Sequence, residues 1–325
     1  MDNHHYSLGG LETSEYLIQD LYIELRKKIN KWAELTKQTA QARMGYVGQH
    51  LVSVVTGCPG GKSGARGYDL ILSDGEFAEI KTCYRVDQLG KCNSCGEVIA
   101  SIEASCQNCG SNDVKRNEDS KWLIGIRHDN EFDSILDPKY YFLVLFDFVD
   151  LKNPNEIRAS IWRVNSMAPG FAYCMIDYYL NIRAKSASKA PFNLWPYQLK
   201  FYLMKPVLIY QSIIKSDDTI QTIIFPKRDK EVSDYIKKLV DYSRSKNLTK
   251  DKIITLANIL KIKIDSTKSN SVLLSNIDDQ IIKRGIKEGV LEDIVANILY
   301  FPEIEAHFSK LPQKLRKKIN IINNN

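Results

Sequence analysis

Between residues 13 and 43, apolar side chains recur at Ile18, Leu21, Leu25, Ile29 and Trp32, three or four positions apart, with polar residues between them. That period predicts an amphipathic helix. A second helix is expected to open at Gly45-Tyr46-Val47-Gly48-Gln49-His50-Leu51-Val52 and to stop near Gly57 and Pro59. The pattern then changes to strands. Residues 70–72 and 77–82 flank Ser73-Asp74-Gly75, whose turn chemistry predicts a hairpin. Further strands are predicted at 122–127, 140–148, 159–164 and 206–214. The run 141–146 has no polar break, so it is expected to be a central strand covered on both faces. After about residue 231 the helical pattern returns, with a helix entry at Leu248-Thr249-Lys250-Asp251 and further helices over 272–286 and 291–299.

These elements predict an α/β protein with a mixed central sheet flanked by helices over residues 1–230. Residues 90–112 read as an insertion. Residues 231–325 read as a helical region serving DNA binding or dimerisation. Composition changes this picture little. A chain of 325 residues with 44% hydrophobic and 26% charged residues suits an ordinary globular protein of one or two domains. A net charge of +6 points only weakly to an anionic partner. No apolar run approaches a membrane span, and MDNHHYSLGG has no apolar signal core, so the expected location is cytoplasmic, with no membrane partner. In that compartment seven cysteines point to metal binding and free thiols rather than disulfides.

Four of those cysteines form two CxxC pairs, Cys92/Cys95 and Cys106/Cys109, with ten residues between the inner two. Each pair turns two thiolates toward one point, and Gly96 and Gly110 permit the tight turns this needs. Two facing pairs complete an S4 tetrahedron suited to Zn2+. With all four ligands thiolates, no position is left for a reacting water, so the zinc is expected to be structural. Cys58, Cys83 and Cys174 lack partners at metal spacing and read as small core residues or free thiols.

Just upstream stands a second constellation, Asp69 followed by Glu79-Ile80-Lys81. Residues two apart on a strand share a face, so Glu79 and Lys81 project together while Ile80 turns to the core. The hairpin lets Asp69 reach the same edge. Two carboxylates and the Ile80 carbonyl offer oxygen ligands for Mg2+, and an ammonium stands beside the water such an ion activates. An isolated Glu-x-Lys triplet is more often a solvated strand face, and it is the preceding helix and Asp69 that move the reading toward phosphodiester hydrolysis.

A helix, then Asp, then Glu-x-Lys in this order resembles the PD-(D/E)XK nuclease core of many type II restriction endonucleases. The stretch from Gly57 to Trp122, including GARGYDL and EIKTCYRVDQLGKC, is similar to the MamI-type restriction endonucleases. The resemblance implies Mg-dependent, sequence-specific double-strand cleavage of unmethylated DNA, leaving a 3′-hydroxyl and a 5′-phosphate. It further implies a homodimer, the simplest device for cutting a palindrome, and a cognate DNA methyltransferase as cellular partner. Tyr68 replaces the motif proline, at a position that makes no ligand. Gln49 replaces a helix glutamate found in many members; it either offers its carbonyl to the metal or its water, or is an ordinary helix-surface residue.

Contact with double-stranded DNA is expected at Arg183, Lys185, Lys189 and Asn193, in a basic stretch free of acidic residues from 183 to 205. The aromatics interleaved there read as supporting core. Two alternatives stay open from sequence: a structure-specific repair or recombination nuclease, and a non-catalytic zinc-ribbon DNA-binding protein.

Overall fold

The N-terminal helix buries only part of the stripe that its periodicity marks. The computed structural model describes residues 6–36, 38, 45–61, 68–126, 134–166, 168–183, 185, 190–196, 200–201, 204, 206–226 and 249–283. In it, α1 (Leu11–Ile18) passes through a π-helical turn (Gln19–Glu24) into α2 (Leu25–Thr36). The wider turn aligns residues four apart, so Ser14, Ile18, Tyr22 and Arg26 are buried. Leu21, Leu25 and Trp32 are left exposed. The second helix, α3 (Gly45–Thr56), forms where expected.

Two compact units divide the chain. The first comprises Met1–Trp122, Pro138–Val164 and Val207–Val232. Its six-stranded sheet has the order β1-β2-β7-β8-β10-β11. These strands are β1 (Leu70–Ile71), β2 (Phe77–Tyr84), β7 (Tyr140–Asp150), β8 (Asn153–Asn165), β10 (Val207–Lys215) and β11 (Ile220–Ile224). The predicted hairpin is present: Leu70 faces Ala78 and Ile71 faces Phe77 in antiparallel register, around Gly75 at φ +82°. β2 then runs parallel to β7, with Glu79 opposite Tyr141 and Lys81 opposite Leu143. On β7, Phe142, Val144 and Phe146 join the core formed with Ile18, Tyr22, Leu51, Val52 and Val55, while Tyr141, Leu143 and Leu145 on the alternate face are also buried. That strand is covered on both faces, as its unbroken apolar run predicts.

β8 begins six residues earlier than its apolar pattern suggests, at Asn153 rather than residue 159. Its polar start is held by pairing with β10, where Glu156 lies opposite Lys215, a favourable cross-strand charge pair. Strand β11 has no forecast in the pattern and completes the sheet beyond β10.

Between β2 and β6 (Trp122–Ile124) the chain builds a small three-stranded sheet, β4-β3-β5, from β3 (Leu89–Cys92), β4 (Val98–Ala100) and β5 (Val114–Lys115). Both legs of this ribbon are fastened to the main sheet. On the outgoing leg the Arg85 amide donates to the Phe146 carbonyl at 2.8 Å, and Arg26 from α2 forms a buried ion pair with Asp87. On the return leg Arg85 Nε donates to the Glu118 carbonyl at 2.6 Å, and Trp122 Nε1 donates to the Val144 carbonyl at 2.8 Å.

The second unit comprises Leu123–Asp137, Asn165–Pro206 and Ser233–Asn325. It holds α4 (Pro169–Tyr178), a π-helical turn (Tyr179–Arg183), β9 (Phe192–Leu194) paired with β6, and the helices α5 (Lys250–Ile259) and α6 (Asn270–Lys283). Thr249 caps α5 as its sequence predicts. Ile253, Leu256 and Ile262 are buried, as are Leu273, Leu274 and Ile277. The helix expected over 291–299 lies outside the described residues. No helix among the described residues is long and apolar enough to cross a membrane.

Candidate active site

Hairpin register brings the acidic residues together. Leu70 faces Ala78, so one further step along the ladder sets Asp69 against Glu79 on the same face. Asp69 is fixed from three sides. Its Oδ2 accepts the Ile80 amide at 2.8 Å, its Oδ1 accepts Gln49 Nε2 at 2.9 Å, and its carbonyl accepts the Gly61 amide at 3.1 Å. Each carboxylate oxygen carries two lone pairs, so each retains one for a cation. In a strand the N–H and C=O of one residue leave on the same side, so the Ile80 carbonyl also leaves β2 toward Asp69.

Lys81 Nζ pairs with Glu79 Oε1. Burial pushes the Glu79 carboxyl above the ordinary glutamate range; the Lys81 ammonium opposes this, and the Asp69 charge adds to it. A carboxylate with that balance gains from a further positive charge. The donor set of two carboxylates and a carbonyl, all oxygen, is one that a hard divalent cation accepts.

Gln49 is tied to the acidic site through its side-chain nitrogen. A carboxylate only accepts, so the side-chain nitrogen must face Asp69, and that bond leaves the carbonyl oxygen uncommitted. What brings Gln49 so close is Gly48. A Cβ there would lie 2.1 Å from Thr82 Oγ1 and 3.0 Å from Thr82 Cβ, so only glycine lets α3 dock this tightly on β2. Rotation of Thr82 cannot relieve a clash that includes its own Cβ. Gly48→Ala is therefore expected to destabilise the fold by about 1–3 kcal/mol. By moving Gln49 off Asp69, it should also lower cleavage more than its stability loss explains. Denaturant melts beside initial rates on the folded fraction check this, and unchanged rates would refute the coupling.

Tyr68, at the family's proline position, stacks on Phe77 with ring centroids 4.1 Å apart and planes 11° from parallel. The contact clamps the chain entering Asp69 to the start of β2. The pair is out of register with the hairpin, where Phe77 faces Ile71, so spacing in the sequence does not disclose it.

The four cysteines form the second site. Their Sγ atoms lie within 4.8 Å of one another, with Cys92–Cys109 and Cys95–Cys106 each at 3.6 Å. A tetrahedron with Zn–S bonds of about 2.3 Å has edges of about 3.8 Å, so the cluster is compatible with zinc. The two knuckles are copies of one turn. The Gly96 amide donates to the Cys92 carbonyl at 2.9 Å and the Gly110 amide to the Cys106 carbonyl at 2.8 Å. Both glycines have positive φ, +80° and +72°. The Cys92 thiol is pulled down to about 6 by the Cys95 amide, helped by the Ser94 amide and by neighbouring thiols, against the cost of burial. That favours the thiolate form a metal requires. Cys95 is likewise pulled down, whereas, against the Ser111 amide, the Cys109 thiol is pushed up to about 12 by the neighbouring thiols and burial. Cys83 and Cys174 lie apart from the cluster, and burial pushes their thiols up to about 12.

The residues expected to touch DNA lie in the second unit. Arg183 closes its π-helical turn and is half-buried, Lys185 is exposed, and Asn193 is exposed on β9. Lys189 is outside the described residues. Phe192 and Phe201 are buried, the core role expected of them, and Lys200 is drawn to Asp177 at 3.4 Å rather than left free.

No solved structure matches the chain. The type II restriction enzyme MamI of Microbacterium ammoniaphilum is 27% identical over 183 residues, 54% of this chain and 53% of that protein. The chain thus spans about half the length of this curated relative. Residues 31–241, which hold the acids, the lysine, Gln49 and all four clustered cysteines, match the MamI restriction endonuclease family, and the chain belongs to that family.

Proposed function

We propose that the protein is a type II restriction endonuclease that hydrolyses both strands of unmethylated DNA at a specific sequence. The observation that carries this reading is the meeting of Asp69, Glu79 and Lys81 at one sheet edge in a chain of this family. Asp69, Glu79 and the Ile80 carbonyl would hold Mg2+, which supplies charge neutralisation at the phosphate and acidifies a bound water. Gln49 and the Ile80 amide keep the Asp69 carboxylate in place while the substrate binds. Lys81 as the ammonium orients the attacking water, whose proton passes to solvent; as the neutral amine it would accept that proton itself. The water oxygen forms the new bond to phosphorus, the bond to the 3′ oxygen breaks, and that oxygen leaves with a proton as the 3′-hydroxyl. The 5′-phosphate stays on the other fragment. A fold of the PD-(D/E)XK type accounts for this placement on a helix and a hairpin strand.

The same reading assigns Zn2+ to the cysteine cluster in a structural role. DNA contact falls to Arg183, Lys185, Lys189 and Asn193, and the helical region after residue 230 aids DNA binding or dimerisation. A homodimer would present two such sites to the two strands, with a methyltransferase protecting the same sequence in the cell.

Digestion of unmethylated phage DNA tests the proposal. The expected result is a sharp ladder of fragments that requires magnesium and disappears when the target is methylated. A smear would instead show a nuclease directed by DNA structure. Binding without cutting on several unmethylated DNAs would show a DNA-binding protein whose acidic–lysine triplet is only a strand surface.

A further inference from the structure

Two lysines stand directly opposite each other on the cysteine ribbon. Lys91 on β3 pairs in register with Lys115 on β5, and Val98 on β4 completes the row on the other side of Lys91. Residues in register share a face, and their side chains leave on the face opposite Cys92, with Lys91 Cε reaching over Gly96 of the first knuckle. Cys92, Ile99, Cys106 and Val114 pack together on the other. Lys91, Lys115 and Val98 are all exposed.

Like charges placed opposite each other across a ladder destabilise it. Nothing within the described structure relieves this pair, since neither lysine has an ion-pair partner among the described residues. The nearby cation Arg116 behaves differently. It is tied to the Ser101 carbonyl and the Glu103 carbonyl, each at 3.0 Å, and so braces the ribbon. Asp113, the acid closest in sequence, already accepts from Asn93 Nδ2 at 2.8 Å.

We propose that Lys91 and Lys115 together grip the phosphate backbone of the DNA on which the active site works. This rests on the nuclease reading above. Ammonium groups bind phosphate as point charges and carry no base preference, so the grip holds duplex of any sequence. Its reach suits the task. The chain from Lys81 to Lys91 spans at most about 33 Å fully extended, so the lysines stand within about one turn of the double helix from the active site. The ribbon legs are fastened to β7 and α2, so the two lysines stand at a fixed position relative to Lys81. Bound phosphates would remove the mutual repulsion that the free protein carries.

The test uses the full-length, zinc-loaded protein without magnesium and a fluorescent duplex of about 30 base pairs, titrated by anisotropy between about 50 and 200 mM salt. Two lost phosphate contacts should reduce the slope of log affinity against log salt by about 1.8 in Lys91→Ala/Lys115→Ala, and by about 0.9 in each single variant. Affinity at the lowest salt should fall about 10- to 100-fold in the double variant. Its unfolding midpoint should stay level or rise slightly, since a repulsion is gone, whereas a merely structural pair would lose stability. The Lys91→Arg/Lys115→Arg variant should keep the wild-type slope. An unchanged slope in the alanine variants would overturn the grip while leaving the nuclease reading intact. Failure of the wild-type protein to bind duplex at any salt would overturn both.

Discussion

Replacing Lys81 with alanine is expected to lower the cleavage rate about 10³-fold while leaving the fold in place. The large effect on rate follows from its position: among the described residues Lys81 is the ammonium paired with Glu79, and it shares a strand face with it. The small effect on stability follows from exposure. The two side chains are 28% and 25% exposed, and ion pairs so open to water contribute about 0–1 kcal/mol. The variant should also change its response to pH. Burial already raises the Glu79 carboxyl above its unfolded value, and Lys81 is the group that opposes this. A carboxyl raised on folding contributes stability below its unfolded pKa and loses it as pH rises through the folded value. Metal-free protein should therefore lose some stability on moving from acid to neutral pH, and magnesium should restore it. Without Lys81 the carboxyl moves further up, so the acidic limb of magnesium binding should shift to higher pH. Single-turnover cleavage and melting curves with and without magnesium between pH 5 and 8 check both parts. A variant that cuts at the wild-type rate would remove Lys81 from the chemistry.

The parts of this site that were legible in the sequence are those set by short-range rules. Alternation places Glu79 and Lys81 on one face, and Ser73-Asp74-Gly75 closes the hairpin that returns Asp69 to them. The knuckles were legible for the same reason, because a CxxC turn with a following glycine specifies its own geometry. The role of Gln49 was not, since it depends on how closely α3 approaches β2. That distance is decided by Gly48 meeting Thr82, a contact between elements that no local pattern encodes. The N-terminal helix shows a related limit. Its apolar period is genuine, but the π-helical turn rotates the buried face onto Ile18, Tyr22 and Arg26. Arg26 then meets Asp87 at the root of the ribbon, a pairing between a helix and a turn that periodicity could not disclose. Strand β8 extends into polar residues because its partner strand supplies the matching charge.

Removing the zinc proposed for the cysteine cluster, or replacing the buried Cys106 with serine, is expected to unfold the ribbon over residues 89–115. The ribbon cannot hold itself together by burial. Its core has Ile99 and a half-buried Val114 beside the cysteines, which together contribute roughly 3–5 kcal/mol. Ordering the backbone costs roughly 1–2 kcal/mol for each residue, far more than two aliphatic side chains offset. A structural zinc contributes on the order of 10 kcal/mol at neutral pH, more than the ribbon's apolar core supplies. Purified wild-type protein should thus carry one zinc per cysteine cluster, and Cys106→Ser close to none. Hydrogen exchange should become fast at the amides of Cys92 and Cys106, which now donate to Glu97 and Ser111, while the β2–β7 ladder keeps its protection. Separating these two regions matters, because the parallel ladder is supported by the helix-covered core and needs no metal. Cleavage should fall with the ribbon even though Asp69, Glu79 and Lys81 remain in place. If the wild-type protein holds no zinc, and a chelator leaves ribbon exchange unchanged, the cluster is four free thiols and the ribbon must draw its stability from its fastened legs alone.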